Sequence, residues 1–218
     1  MRTLLFFCCS VVFAFDGGGI SPLVLVVLDT AKPSAGRFPD GWELRVKSGQ
    51  PDVSTIKDGD AVVLHFKSVK SSFSLERGVD VDAAKMPYLA WHWKVTQVPK
   101  RGDFRHFWSD DQAAQVLVAF DDRRVLSYIW DTTAPQGTME STSLPLLIHV
   151  YAIVCRSGMA EANRWVAESH NIAADYLKAF GKPAPHVKGL RLQINSQHTG
   201  SVAESYFADL VFRNTAQP

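Results

Sequence analysis

Five stretches of this chain alternate apolar and polar residues with a period of two. In Leu89–Val95, Leu89, Trp91, Trp93 and Val95 share one face, and Ala90, His92 and Lys94 the other. In 115–120, Val116, Val118 and Phe120 oppose Gln115, Leu117 and Ala119. Leu126, Tyr128 and Trp130 share a face in 125–131, as do Leu190, Leu192 and Ile194 in 190–195. In 205–212, Tyr206, Ala208, Leu210 and Phe212 alternate with Phe207, Asp209 and Val211. A period of two belongs to strands, because successive side chains point to opposite faces; a helix repeats every 3.6 residues. Each strand thus carries one apolar face that must be covered, so the expected fold is an all-β sandwich.

Other segments fill in the pattern. Leu146–Val154 is a continuous apolar run, expected as a strand covered on both faces. Val62–Val69 and Phe73–Val81 look like an earlier strand pair, and Leu23–Leu28 suits a buried strand. Residues 29–40, with Lys32-Pro33-Ser34-Ala35-Gly36, form a loop. One short helix is expected, packed at an end or edge of the sandwich. Asn171 is its N-cap, Ile172, Tyr176 and Phe180 recur at i, i+4 and i+8, Gly181 fits the left-handed C′ position and Pro183 follows. A weaker helical turn is expected over 160–168.

Composition narrows the class. The 218 residues include 23 Lys+Arg and 22 Asp+Glu, with no basic stripe, which argues against phosphate-driven nucleic-acid binding. With 46% hydrophobic and 21% charged residues, the chain can bury a core. Residues 1–14 read as a signal peptide: Arg2, a short apolar run, and small side chains at Val12 and Ala14 for cleavage after Ala14. That run is too short to span a bilayer. The expected organisation is therefore a signal peptide (1–14), an N-terminal strand and linker (15–38, opening on Gly17-Gly18-Gly19) and a single sandwich domain (39–218). The protein is expected to be exported, in the periplasm. Cys8 and Cys9 fall inside the apolar run, where Leu5-Phe6-Phe7 lacks the small residues of a lipid-attachment site. Cleavage leaves Cys155 alone, so no intramolecular disulfide and no multi-thiolate zinc site is expected. Cys155 ends an apolar run and reads as a buried, inert thiol.

A set of motifs extends over nearly the whole mature chain. It comprises Pro87-Tyr88-Leu89-Ala90-Trp91-His92-Trp93-Lys94-Val95, Pro99, Gly102-Asp103, then Asp110 through Phe120 and Tyr128-Ile129-Trp130-Asp131. It continues with Asn171, Asp175-Tyr176, Ala179-Phe180-Gly181, Asn195, Thr199-Gly200 and Tyr206 through Phe212. In this order and spacing the chain, from about Pro39 to Phe212, resembles an exported bacterial family catalogued as domain of unknown function 3047. The resemblance implies a jelly-roll sandwich similar to galactose-binding and other carbohydrate-binding modules, and brings no established activity. One departure stands out: His170 occupies a position before the helix where the family usually has Arg.

Three groups of residues bear on function. Asp103, Asp110 and Asp111 could hold a structural Ca²⁺ ion, which takes six to eight oxygen ligands; alternatively they cap backbone amides or pair with Arg101 or Arg105. The aromatic set Trp91, Trp93, Trp108, Tyr128 and Trp130 could stack on sugar faces, although Trp at alternate strand positions usually fills a core. Trp108, within Arg105-His106-Phe107-Trp108-Ser109-Asp110, is the ring expected to be exposed. The polar set His170, Asn171, Asp175, Asn195, Gln197 and His198 suits either a binding loop or local capping.

The leading expectation is non-catalytic binding of a glycan or other polar ligand, with Trp108 stacking and Asp103, Arg105, Asp111 and Asn195 hydrogen-bonding. The alternatives are a polysaccharide hydrolase or lyase pairing Asp111 with Asp131 or Asp175, and a structural module of the envelope. The scattered histidines form no His-Glu-x-x-His pattern, and no nucleophile elbow or phosphate-binding glycine loop occurs. A nearly neutral sum conceals local crowding of charge at 101–111 and at Asp121-Asp122-Arg123-Arg124.

Overall fold

The alternating stretches form the two faces of a sandwich. The computed structural model describes residues 23–30, 38–143 and 148–216. In chain order the strands are β1 (Val24–Leu28), β2 (Glu43–Ser48), β3 (Asp52–Asp58), β4 (Ala61–Val69), β5 (Ser72–Val81), β6 (Tyr88–Gln97) and β7 (Ala114–Phe120). They continue with β8 (Arg124–Asp131), β9 (Met139–Ser143), β10 (His149–Ser157), β11 (Val166–Asn171), β12 (Val187–Asn195) and β13 (Val202–Arg213). The helix α1 (Ile172–Phe180) lies between β11 and β12.

One sheet has the order β11-β6-β13-β4-β3, with β1 added to the end of β13. The other has the order β2-β5-β12-β7-β8-β10-β9. All pairings are antiparallel except β8 with β10. The expected all-β sandwich of jelly-roll type, with one short helix, is the fold observed.

The core follows from the predicted faces. Leu89, Trp91, Trp93 and Val95 of β6 are buried, as are Val116, Val118, Leu126, Tyr128, Trp130, Leu192 and Ile194 of the opposite sheet. Trp93 meets Trp91 edge-on at 5.4 Å and Trp130 of the facing sheet at 5.7 Å. Rings of this size contribute the largest apolar area of any side chains, and edge-to-face contact adds to it. Helix α1 closes as expected: Asn171 accepts from the Ala174 amide and Gly181 takes φ of 71°. Its buried residues, Ile172 and Tyr176, join the main core, with Tyr176 against Phe120 at 4.5 Å.

Several expectations are corrected. β4 and β5 are not a hairpin: they lie in opposite sheets, and Phe66 stacks on Phe73 at 5.9 Å across the turn between them. Residues 166–171 form the edge strand β11 on β6 rather than a helical turn, which is confined to turns before it. The pairing offered by the free edge of β6 outweighs a weak local helical preference. β1 is only half-buried: Val27 and Leu28 are inside, whereas Val24, Leu25 and Val26 are exposed, because β1 meets β13 alone. In β13 the alternation breaks. Ala208 pairs with His92 but Val211 with Ala90, so one extra residue is accommodated, and Asp209 takes φ of 55°. Ahead of the bulge the inward residues are Ala203, Ser205 and Phe207, and beyond it Leu210 and Phe212, so Tyr206 does not share their face. The expected signal peptide, Cys8, Cys9 and Gly17-Gly18-Gly19 lie outside the described residues. Among the described residues, no helix is long and apolar enough to cross a membrane.

Candidate functional site

Four of the five rings in the aromatic set are core residues; Trp108 is 82% exposed. Beside it Phe107, which the sequence reading passed over, is 68% exposed and meets Trp108 edge-on at 4.9 Å. The His198 ring stands 5.6 Å from Phe107 and extends the surface onto the β12–β13 turn. Two large apolar side chains in adjacent positions, both open to water, are unusual on a soluble surface.

The polar residues around this pair hold the loop in place. The Arg105 guanidinium donates to both carboxylate oxygens of Asp103, at 2.8 and 2.7 Å, and Thr133 Oγ1 donates to Oδ2 at 2.8 Å. These bonds, the Arg105 guanidinium foremost, hold the Asp103 carboxyl well below the usual carboxylate range. The Asp103 amide donates to the Ser109 carbonyl at 2.7 Å, closing the loop at its base. Asp111 is fully buried and accepts from the His198 amide and from the amide and hydroxyl of Thr199. Asn195 Oδ1 accepts from the Gln112 amide and Gln115 Nε2, while Nδ2 donates to the Asp110 carbonyl. Gln112 Nε2 donates to Asp110, whose carboxyl is pushed up by burial.

The structure therefore brings Asp103, Arg105, Trp108, Asp111 and Asn195 into one region: Trp108 projects from it, Arg105 lies at the surface paired with Asp103, and Asp103, Asp111 and Asn195 are buried. The other four are engaged with one another's loops. The three carboxylates do not fit a Ca²⁺ cage, because their oxygens face different internal donors. The carboxylates of the hydrolase alternative are likewise engaged. Asp131 is fully buried and accepts from the Phe104, Thr133 and Ala134 amides, and burial raises its pKa. Asp175 accepts from the Tyr128 hydroxyl at 2.8 Å.

A second feature was invisible in the sequence. On the outer face of the β2-containing sheet, a cleft of about 410 Å³ runs across β5, β12 and β7. Its floor is Gly78, Gly189 and Ala119, which are cross-strand neighbours. Its rim carries Arg45, Glu76 and Arg191, with Arg191 and Glu76 paired at 2.8 Å. Three small residues in one cross-strand row remove the side chains that would otherwise fill that face. The signal, glycines on two separate strands, becomes readable only once the register is known.

Among solved structures, the xyloglucanase domain of NopAA, a type three effector from Sinorhizobium fredii, in complex with cellobiose, is 9% identical. That match covers 80% of this chain and 95% of that one, with a TM-score of 0.47. The family 11 carbohydrate-binding module of the cellulase Lic26A-Cel5E of Clostridium thermocellum is 5% identical, covering 87% and 93%, with a TM-score of 0.43. The family 29 carbohydrate-binding module CBM29_1 from Piromyces equi is 11% identical, covering 90% and 93%, with a TM-score of 0.41. No curated protein matches. The family model described as protein of unknown function DUF3047 matches residues 40–211, and the chain belongs to that family.

Proposed function

We propose that this protein is an exported, non-catalytic binding module for a glycan or similar polar ligand, recognised by the Phe107–Trp108 edge. The observation that carries the reading is the exposed ring pair on a loop tied down at both ends. Sugars present C–H faces that stack on flat rings, and a preformed platform loses little conformational entropy on binding. His198, beside Phe107, is placed to hydrogen-bond ligand hydroxyls. The carboxylates that an enzyme would need are committed to internal amides and hydroxyls, which favours binding over hydrolysis.

A second reading places the ligand in the cleft over Gly78 and Gly189, where the paired charges of the rim would bond hydroxyls. A glycan-array screen of the purified protein, followed by intrinsic fluorescence titration, separates the two. Under the leading reading, Trp108→Ala abolishes binding and Gly78→Val leaves it unchanged. The cleft reading expects the reverse, since a Cβ at Gly78 meets nothing within 4 Å and a larger side chain would stand in the open groove. Absence of binding to every glycan would sink both.

A further inference from the structure

The strongest unassigned cluster lies between the two sheets, on strands β10 and β11. Cys155 on β10, and Glu168 and His170 on β11, are the group of metal-ligating side chains whose donor atoms converge among the described residues, all within 4.8 Å of one another. Cys155 and Glu168 are buried, and the His170 side chain keeps 22% exposure, which leaves a route from solvent. We infer that Cys155, Glu168 and His170 form a binding site for a zinc-class transition-metal ion that links the two sheets of the sandwich.

The distances carry this inference. Cys155 Sγ is 3.5 Å from His170 Nε2, and His170 Nε2 is 3.4 Å from Glu168 Oε2. In a tetrahedral zinc site with bonds of about 2.0–2.3 Å, neighbouring donor atoms stand roughly 3.3–3.6 Å apart. Two edges of the polyhedron are thus already present. One thiolate, one imidazole and one carboxylate supply three ligands, and water completes four.

An independent observation is the way two of the ligands, Glu168 and His170, are held from behind. Glu168 Oε1 accepts from Trp93 Nε1 at 3.2 Å and stands 3.1 Å from Arg156 Nε, which directs Oε2 toward His170. The far nitrogen of His170, Nδ1, lies 3.7 Å from Asp175 Oδ2, and that oxygen is fixed by the Tyr128 hydroxyl. A carboxylate behind an imidazole sets the tautomer that presents the other nitrogen to a metal. The ring itself is stacked on Trp91 at 5.3 Å and lies against Tyr128 at 4.4 Å. The charges also balance. A divalent ion with the Cys155 thiolate and the Glu168 carboxylate is neutral, and around it Arg156 and Arg164 offset Glu161 and Asp175. On binding, the thiol proton of Cys155 and any proton on Nε2 leave to solvent. A single cysteine argues against a multi-thiolate site, but a mixed site needs only one.

Cobalt(II) is the probe, added to purified full-length chain carrying Cys8→Ser and Cys9→Ser so that Cys155 is the sole thiol. The expected result is a thiolate-to-cobalt charge-transfer band in the near ultraviolet, displaced by Zn²⁺, and a melting temperature that rises with either ion. Cys155→Ser removes the band. Asp175→Asn keeps the band but weakens affinity about 10–100-fold. As a measurement that needs no substitution at Cys155, the parent is also alkylated with and without Zn²⁺; at least tenfold slower modification of Cys155 is expected with the ion. No band, a band that survives Cys155→Ser in a folded protein, or an alkylation rate indifferent to Zn²⁺ overturns the site. A fast, ion-independent reaction would instead mark Cys155 as a free nucleophile paired with His170.

Discussion

Gly102 lies so close to Asp111 that a Cβ built on it would stand 2.3 Å from the Asp111 carbonyl oxygen and 3.0 Å from Thr132 Oγ1. The loop that carries Phe107 and Trp108 leaves and rejoins the sandwich at this crossing, since the Gly102 carbonyl also accepts from Thr133. The oxygen it would strike belongs to the backbone and has no side-chain freedom with which to retreat. Gly102→Ala is therefore expected to destabilise the protein by about 2–3 kcal/mol through overpacking and to weaken ligand binding at the rings. Chemical denaturation measures the first effect, and titration of any bound glycan the second. A variant as stable as the parent would show that the crossing is looser than described.

Asp111 is the other half of that crossing. Its carboxylate accepts three bonds from His198 and Thr199, fully buried. Asp111→Ala leaves the His198 and Thr199 amides without an acceptor and leaves the Thr199 hydroxyl only Ser201 Oγ, 2.7 Å away, with an expected loss of about 3 kcal/mol. The β12–β13 turn should also lose hydrogen-exchange protection at the His198 and Thr199 amides. Normal protection there would contradict the role assigned to Asp111.

Asp103 makes stability depend on acidity. Bonding to Arg105 holds its folded pKa below the ordinary value of 3.8. A carboxylate depressed on folding adds stability that is present above the unfolded value and is lost as pH falls through the folded one. The parent and Asp103→Asn should therefore differ most in melting temperature near neutral pH. The gap should close as pH drops from about 5 toward 2. A gap that stays constant across that range would assign the difference to packing alone.

Asn171 caps α1 by accepting from the Ala174 amide at 2.9 Å. Asn171→Ala is expected to cost about 1 kcal/mol, a fall of roughly 2–4 °C in melting temperature for a chain of this size. Asn171→Ser should recover most of that loss, because a hydroxyl serves the same amide.

Much of the fold is determined by local chemistry that the sequence carries by itself. Strand faces follow from side chains that point alternately up and down, so Trp91, Trp93, Tyr128 and Trp130 could be assigned to the core. The helix ends follow from Asn171 and Gly181, whose side chain and backbone freedom act within a few residues. The motif set over 39–212 was sufficient to find the family.

Only the tertiary structure decided the rest, because it depends on contacts between residues far apart in the chain. That Phe107 stands exposed beside Trp108, and that Trp93 meets Trp130 across the sandwich, depends on which elements face each ring. β4 and β5 look like partners in sequence, yet across the two residues between them the chain passes from one sheet to the other. The bulge at Asp209 reverses the faces of β13 because β6 supplies one residue fewer. Gly78, Gly189 and Ala119 make a cleft floor, and Cys155, Glu168 and His170 converge, for the same physical reason: strand register and sheet packing set those distances, and neither is encoded in any single segment.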